Sequence, residues 1–213
     1  MLRHFLVLIS CIGSAGLYAA ATQTISWIDL VPPASEEVSL PPLNEYQVGL
    51  IYKIVAYQNA EKRRDMSAKE TATYEQNVAD FTATKADLAS LLALREKAIE
   101  VEKARYSSVD PSMKFDEVTI GGFMVPLEMD GLTTKKFLLV PTAGACIHTP
   151  PPPINQIIVV DIEQGYELVD LFQPIAVSGD IKVSQQELNV DYIDGNTDVS
   201  AGYVMKASDI RLY

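Results

Sequence analysis

Two hydrophobic periods divide this chain. Between residues 46 and 106 proline is absent and the only glycine is Gly49. Ala, Glu, Lys, Gln and Leu, all good helix formers, dominate the stretch. Val48, Ile51 and Ile54 or Val55 make one apolar stripe. Tyr74, Val78, Phe81, Leu88, Leu92 and Ile99 make another at helical spacing. Ser67 followed by Glu70, and Thr84 followed by Asp87, match an N-terminal cap with a returning acidic side chain. The pattern predicts an antiparallel helical hairpin over 46–106, broken near Lys62–Ser67 or near Thr82–Thr84. Glu61-Lys62-Arg63-Arg64-Asp65 reads as a solvated helix face or turn.

From Phe115 the period shortens to two. Phe115–Glu128 alternates and is interrupted by Gly121-Gly122, a bend or bulge signal. Met129-Asp130-Gly131 reads as a tight turn, since Asp-Gly supplies the positive φ a hairpin needs. Lys136–Pro141 is apolar and extended. Gln156–Glu163 carries the continuous run Ile157-Ile158-Val159-Val160, which suits a buried strand. Ile175–Val183, with Gly179 as a kink, is another strand, and Glu187–Asp191 extends it after a bend. Asp194-Gly195-Asn196 reads as a turn, followed by Ala201–Ala207 and Ile210-Arg211-Leu212-Tyr213. Five or six strands in about 100 residues, with short turns and internal glycines, predict a small antiparallel β-barrel, OB-like by analogy. The fold class expected is α+β: that barrel preceded by the helical hairpin.

The start of the chain has the shape of a secretory signal. Arg3 is the charged start, Phe5 to Leu17 the apolar core, and Ala19-Ala20-Ala21 the small-residue cleavage site. That apolar run is too short to span a bilayer. Leu8-Ile9-Ser10-Cys11 offers a rival, a lipoprotein box that would leave Cys11 lipid-anchored; cleavage after Ala21 is the preferred reading. The expected organisation is then a signal peptide over 1–21, an extended proline-bearing arm over 22–45, the hairpin over 46–106 and the β-barrel domain over 107–213. Export places the protein in the periplasm, with no transmembrane segment after cleavage. Trp27 is expected to anchor the arm by burial.

A net charge of −11 over 213 residues changes the list of partners. Nucleic acid and anionic membrane both demand a basic footprint, so neither is expected as the main partner. Hydrophobic content of 48% is enough to build a core. Gly-x-Gly-x-x-Gly, a phosphate loop, Gly-x-Ser-x-Gly and His-Glu-x-x-His are all absent. Asp194, Asn196 and Asp198 space oxygen ligands alternately, yet lack the spacing and terminal Glu of a calcium loop.

Candidate chemistry concentrates at Cys146 and His148, the only Cys and His left once the leader is removed. They precede Thr149 and four consecutive prolines, Pro150, Pro151, Pro152 and Pro153, then Asn155 and Gln156. Proline fixes φ and lacks an N–H, so the tract is expected as stiff polyproline II. An extended chain reaching back to Cys146 puts Cys146 and His148 on one face, with Cβ atoms roughly 6–7 Å apart. At that separation a thiolate and an imidazole can share a metal ion, zinc or copper(I) by ligand type. The imidazole can equally deprotonate the thiol, making a thiol enzyme. The plain alternative is a small buried Cys146 and a hydrogen-bonded surface His148. No catalytic residue is assigned and no cofactor is fixed. Cys146 and His148 stand as metal candidates; Thr149, Pro150–Pro153, Asn155 and Gln156 stand as a binding loop.

Lys136-Phe137-Leu138-Leu139-Val140-Pro141 followed by the run Gly144–Gln156 resembles the signature of the DUF3299 family of exported bacterial proteins. Ile25–Pro32 and Gly122–Glu128 agree with it. The chain departs at Thr142-Ala143, where an aromatic pair is usual, and at Ala176, where a Trp is usual. The resemblance implies a secreted β domain with no settled activity, accessory to envelope transport, and implies no enzyme. The function expected is therefore an exported binding or adaptor module with a protein partner in the cell envelope.

Overall fold

The computed structural model describes residues 23–144, 151–168, 170, 172–192 and 195–213, with the side chains of 191–196 outside the description. The expected leader over 1–21, Cys11 and the turn residue Asp194 lie outside the described residues.

Three helices follow the arm. Helix α1 (Glu45–Glu61) starts at Asn44, whose side chain accepts from the Gln47 amide at 2.9 Å while Gln47 Oε1 accepts from the Asn44 amide. Helix α2 (Ala68–Ala83) starts at Ser67, and Glu70 returns to the Ser67 amide and hydroxyl at 2.9 and 2.7 Å. The second expected cap is corrected. Thr84 closes α2, while Asp87 itself caps α3 (Leu88–Tyr106) by accepting from the Ser90 amide and hydroxyl. Both breaks in the helical pattern are realised, so the expected two-helix hairpin is a three-helix module.

Its core is small: Leu50, Ile54, Phe81 and Leu91 are buried, with Tyr74, Val78 and Leu88 packed beside them. Val48 and Ile99, expected on the inner stripes, are exposed. Residues 46–60 of α1 carry one charge, Lys53, and are apolar on most sides. Periodicity alone therefore could not select the inward face.

Six strands form one mixed sheet: β1 (Gln23–Ile25), β2 (Lys114–Asp130), β3 (Thr133–Val140), β4 (Ile158–Glu167), β5 (Ile175–Tyr192) and β6 (Gly195–Leu212). Their order is β1-β2-β3-β4-β6-β5, and β5 pairs with β2 as well. The expected all-antiparallel arrangement is corrected by two parallel pairings, β1 with β2 and β4 with β6. The chain between β4 and β6 includes all of β5, which is long enough to return β6 in the direction of β4.

Phe137–Val140 of β3 and Ile158–Val160 of β4 are buried on both faces, as a continuous apolar run requires. Phe137, Leu139, Ile158 and Val160 enter the main core with Ile120, Val177, Ile181, Tyr203 and Met205. Leu138, Val140, Ile157 and Val159 point the other way and are covered by Val190, Val199 and Ala201 of the long β5–β6 hairpin, with Val125. Gly179 has φ near +156°, and a Cβ there would lie 2.2 Å from the Lys206 carbonyl. Only glycine lets β5 and β6 meet at that irregularity. Among the described residues no helix is long and apolar enough to cross a membrane.

Candidate functional site

The described chain on either side of the Cys–His–Pro segment forms two roots. Strand β3 delivers Val140 and then Pro141, and Gly144 turns the chain at φ near +71°. Cys146, His148, Thr149 and Pro150 lie outside the described residues. The chain resumes at Pro151 and Pro152. Pro153, with φ −55° and ψ 153°, opens a short 3-10 turn, Ile154–Gln156.

That turn is the second root, and its two amides tie three parts of the molecule together. Asn155 is fully buried, and its Nδ2 donates to the carbonyls of Arg105 and Ser108 at 2.9 Å each. Those carbonyls lie at the end of α3, where the last turn leaves acceptors without helical partners. Gln156 Nε2 donates to the Trp27 carbonyl at 3.2 Å and to the Asn155 carbonyl at 3.0 Å. Both amides face inward, so of the expected loop residues the described surface offers Pro151 and Pro153.

The arm meets the same region. Trp27 opens a 3-10 turn, Trp27–Leu30, and its indole N–H donates to the Gly121 carbonyl at 2.7 Å. Leu30 is fully buried, and the buried Tyr203 hydroxyl donates to its carbonyl. Arg105 Nε holds the Pro32 carbonyl at 2.6 Å, and Lys97 pairs with Glu36. The half-buried Trp27 thus anchors the arm, as its position in an apolar stretch implied.

Trp27, Phe123, Pro141, Pro174 and Tyr213 surround a pocket of about 290 Å³ at the β3 root, floored by Gly121 and Gly122. A Cβ on Gly121 would sit 2.8 Å from the Tyr213 ring, and one on Gly122 would sit 2.7 Å from the Val140 carbonyl. Of the glycine pair read as a bend, Gly121 is thus the space into which the Tyr213 ring packs, and Gly122 lets β3 approach at Val140. Tyr213 and Pro174 escaped the sequence reading because they lie far away in the chain. The adjacent glycines were the available signal, since glycine inside a strand marks close approach by another group.

Electrostatics assign most of the perturbed acids to caps and turns. Asp29 is lowered by the Ser26 amide and then its hydroxyl, Asp87 by the Ser90 hydroxyl and then its amide, and Asp110 by the Ser112 hydroxyl and then its amide. Glu70 is held at about 2, first by the Arg64 guanidinium and then by Ser67. Tyr203 is pushed up to about 12 by burial, with the negative charge of Asp110 adding to it. Among the described residues no group of three or more His, Cys, Asp and Glu side chains could hold a metal ion. The described lining of the pocket holds no Asp, Glu, His, Cys, Lys or Arg side chain; its indole N–H is engaged, the Ser26 hydroxyl donates to Asp29, and the Tyr213 phenol is its one titratable side chain.

These features define an α+β protein: a six-stranded mixed sheet with a three-helix module, joined through buried amides beside an aromatic pocket. It belongs to the DUF3299 family, described as proteins of unknown function, whose family model matches residues 27–212. A crystal structure of a DUF3299 family protein from Pseudomonas aeruginosa PAO1 is similar at 24% identity and a TM-score of 0.47, covering 91% of this chain and 97% of that one. No curated protein matches the chain in sequence.

Proposed function

We propose that this protein is an exported periplasmic binding or adaptor module, accessory to an envelope transport system, and not an enzyme. The five strands β2, β3, β4, β6 and β5 act as an OB-like barrel, an assignment supported by the pairing path that returns from β5 to β2. The barrel presents the Cys146–Pro153 segment to a protein partner. One observation carries the reading: the segment is rooted beside a pocket of aromatic rings and prolines whose described residues carry no Asp, Glu, His, Cys, Lys or Arg side chain. Such a lining suits apolar recognition, since rigid rings supply contact area at low entropic cost. Proline fixes φ, so a tract of four prolines likewise loses less freedom on binding.

The test is photo-crosslinking in the native host with benzoylphenylalanine at Phe123, and with the same group at Glu163 as control. A discrete envelope-protein adduct at position 123, absent at 163 and lost on Tyr213→Ala with unchanged circular dichroism, is the expected result. No adduct at 123, or equal adducts at both positions, overturns the reading.

A further inference from the structure

A different face carries a second interaction site. Helix α1 is apolar nearly all round, and such a helix is ordinarily buried on every side. Here its inner side packs on Phe81 and Leu91, but Tyr52 is 75% exposed, Tyr46 59% and Val48 53%. Tyr52 forms a ridge between two open grooves. One, of about 610 Å³, runs between α1 and α2 over Ala56, Ala60 and the stacked rings of Tyr57 and Tyr74. The other, of about 500 Å³, runs along α1 beside Arg95 of α3.

Charge says what fits there. In a chain with 28 acidic and 17 basic residues, the two grooves are lined by Lys53, Arg64, Lys69 and Arg95 against a single acid, Glu70. Glu70 is itself engaged with Arg64 at 2.6 Å and Arg95 with Glu96 at 2.6 Å, so Lys53 and Lys69 carry the positive charge of the face. A second copy docked by the same face would set these cations against each other, because a two-fold interface is self-complementary. A flat bilayer would reach the Tyr52 ridge and leave the concave floors unfilled. From Val48 to Ala60, α1 rises about 18 Å, the length of three to four helical turns.

We propose that the α1 face is a docking site for an amphipathic helix with an apolar stripe and an acidic rim, supplied by a partner protein. The stripe fills the α1–α2 groove and its carboxylates meet Lys53 and Lys69, the helix-in-groove mode of recognition. This site shares no residue with the pocket at the β3 root, so either can fail alone.

The test uses the full mature chain and two fluorescein-labelled 18-residue peptides with the same leucine stripe, one rimmed by Glu and one by Lys. Anisotropy titrations should give at least tenfold tighter binding of the Glu-rimmed peptide. Ala56→Glu, at an exposed helix position, should weaken it at least tenfold with unchanged ellipticity at 222 nm. Lys53→Glu with Lys69→Glu should invert the preference between peptides. Equal affinity for both peptides, no binding of either, or indifference to Ala56→Glu overturns the proposal. Sedimentation with phosphatidylglycerol vesicles that is lost on Tyr52→Asp overturns it in favour of a membrane contact.

Discussion

Replacing Asn155 tests the joint on which the two halves of the molecule depend. Its amide is fully buried and donates two 2.9 Å hydrogen bonds to the end of α3. Each such bond contributes about 0.5–1.5 kcal/mol net. Truncation to Ala also removes side-chain volume at a fully buried position. The Arg105 carbonyl keeps a bond from the Ser108 hydroxyl at 3.1 Å, which limits the loss. Asn155→Ala should therefore cost about 2–4 kcal/mol. In urea this is a midpoint shift of roughly 1–2 M at an ordinary slope. Trp27 is the chain's single tryptophan and sits one hydrogen bond from Gln156, so its fluorescence reports the joint. Ellipticity at 222 nm is dominated by the helices. In the parent chain the two probes should coincide; in the variant the helical transition should part from the fluorescence transition, since the link between modules is cut. Asn155→Asp keeps the shape but aims a carboxylate at two carbonyl oxygens, so at neutral pH it should be at least as damaging as Ala. A midpoint shift below about 0.3 M for Ala, or an Asp variant as stable as the parent, refutes the argument.

Four further outcomes follow from the geometry. Gly49 lies inside α1 with nothing within 4 Å of a built Cβ, so Gly49→Ala should stabilise the helical module by about 0.5–1 kcal/mol in thermal melts at 222 nm; destabilisation contradicts it. Glu70 is held at about 2, below its ordinary value of 4.5, so its contribution to the start of α2 is present above pH 4.5 and fades as the pH falls toward 2. Amide protection at 67–71, corrected for intrinsic exchange, should fall across that window in the parent, and in Glu70→Ala it should be low at every pH. The Tyr203 hydroxyl donates to the Leu30 carbonyl, and burial raises it to about 12; the fold keeps this contribution below the ordinary tyrosine range and loses it as pH rises through 12. Tyr203→Phe should cost about 1 kcal/mol and remove the latest-titrating phenol from the ultraviolet difference spectrum. For metal, native mass spectrometry after zinc or copper(I) loading should show no stoichiometric ion; one bound ion lost on Cys146→Ser would move Cys146 and His148 from recognition to metal handling.

The sequence by itself determined most features whose cause is local. Ser67 and Glu70 lie three residues apart, so their reciprocal cap forms wherever that helix goes. Asp130-Gly131 sets the β2–β3 turn because Gly131 takes positive φ without strain. The unbroken run from Ile157 to Val160 announced a strand buried on both faces, and β4 is one. Asp87 was misassigned because Thr84 and Asp87 satisfy the same spacing rule, and only the helix start shows which of them is the cap.

Tertiary structure alone decided what depends on groups distant in the chain. The parallel pairing of β4 with β6 rests on how far β5 carries the chain, which no alternation of side chains encodes. Trp27, Gly121 and Tyr213 meet across 94 and 92 residues, and only folding brings a ring over Gly121. Asn155 and Gln156 read as surface loop residues because their sequence neighbours are prolines. Burial turned them inward, since the end of α3 and the Trp27 turn each present a carbonyl that needs a donor. The outward face of α1 was likewise undecidable from a helix apolar on most sides; it was fixed when Phe81 and Leu91 covered one side and left Tyr52 to the solvent.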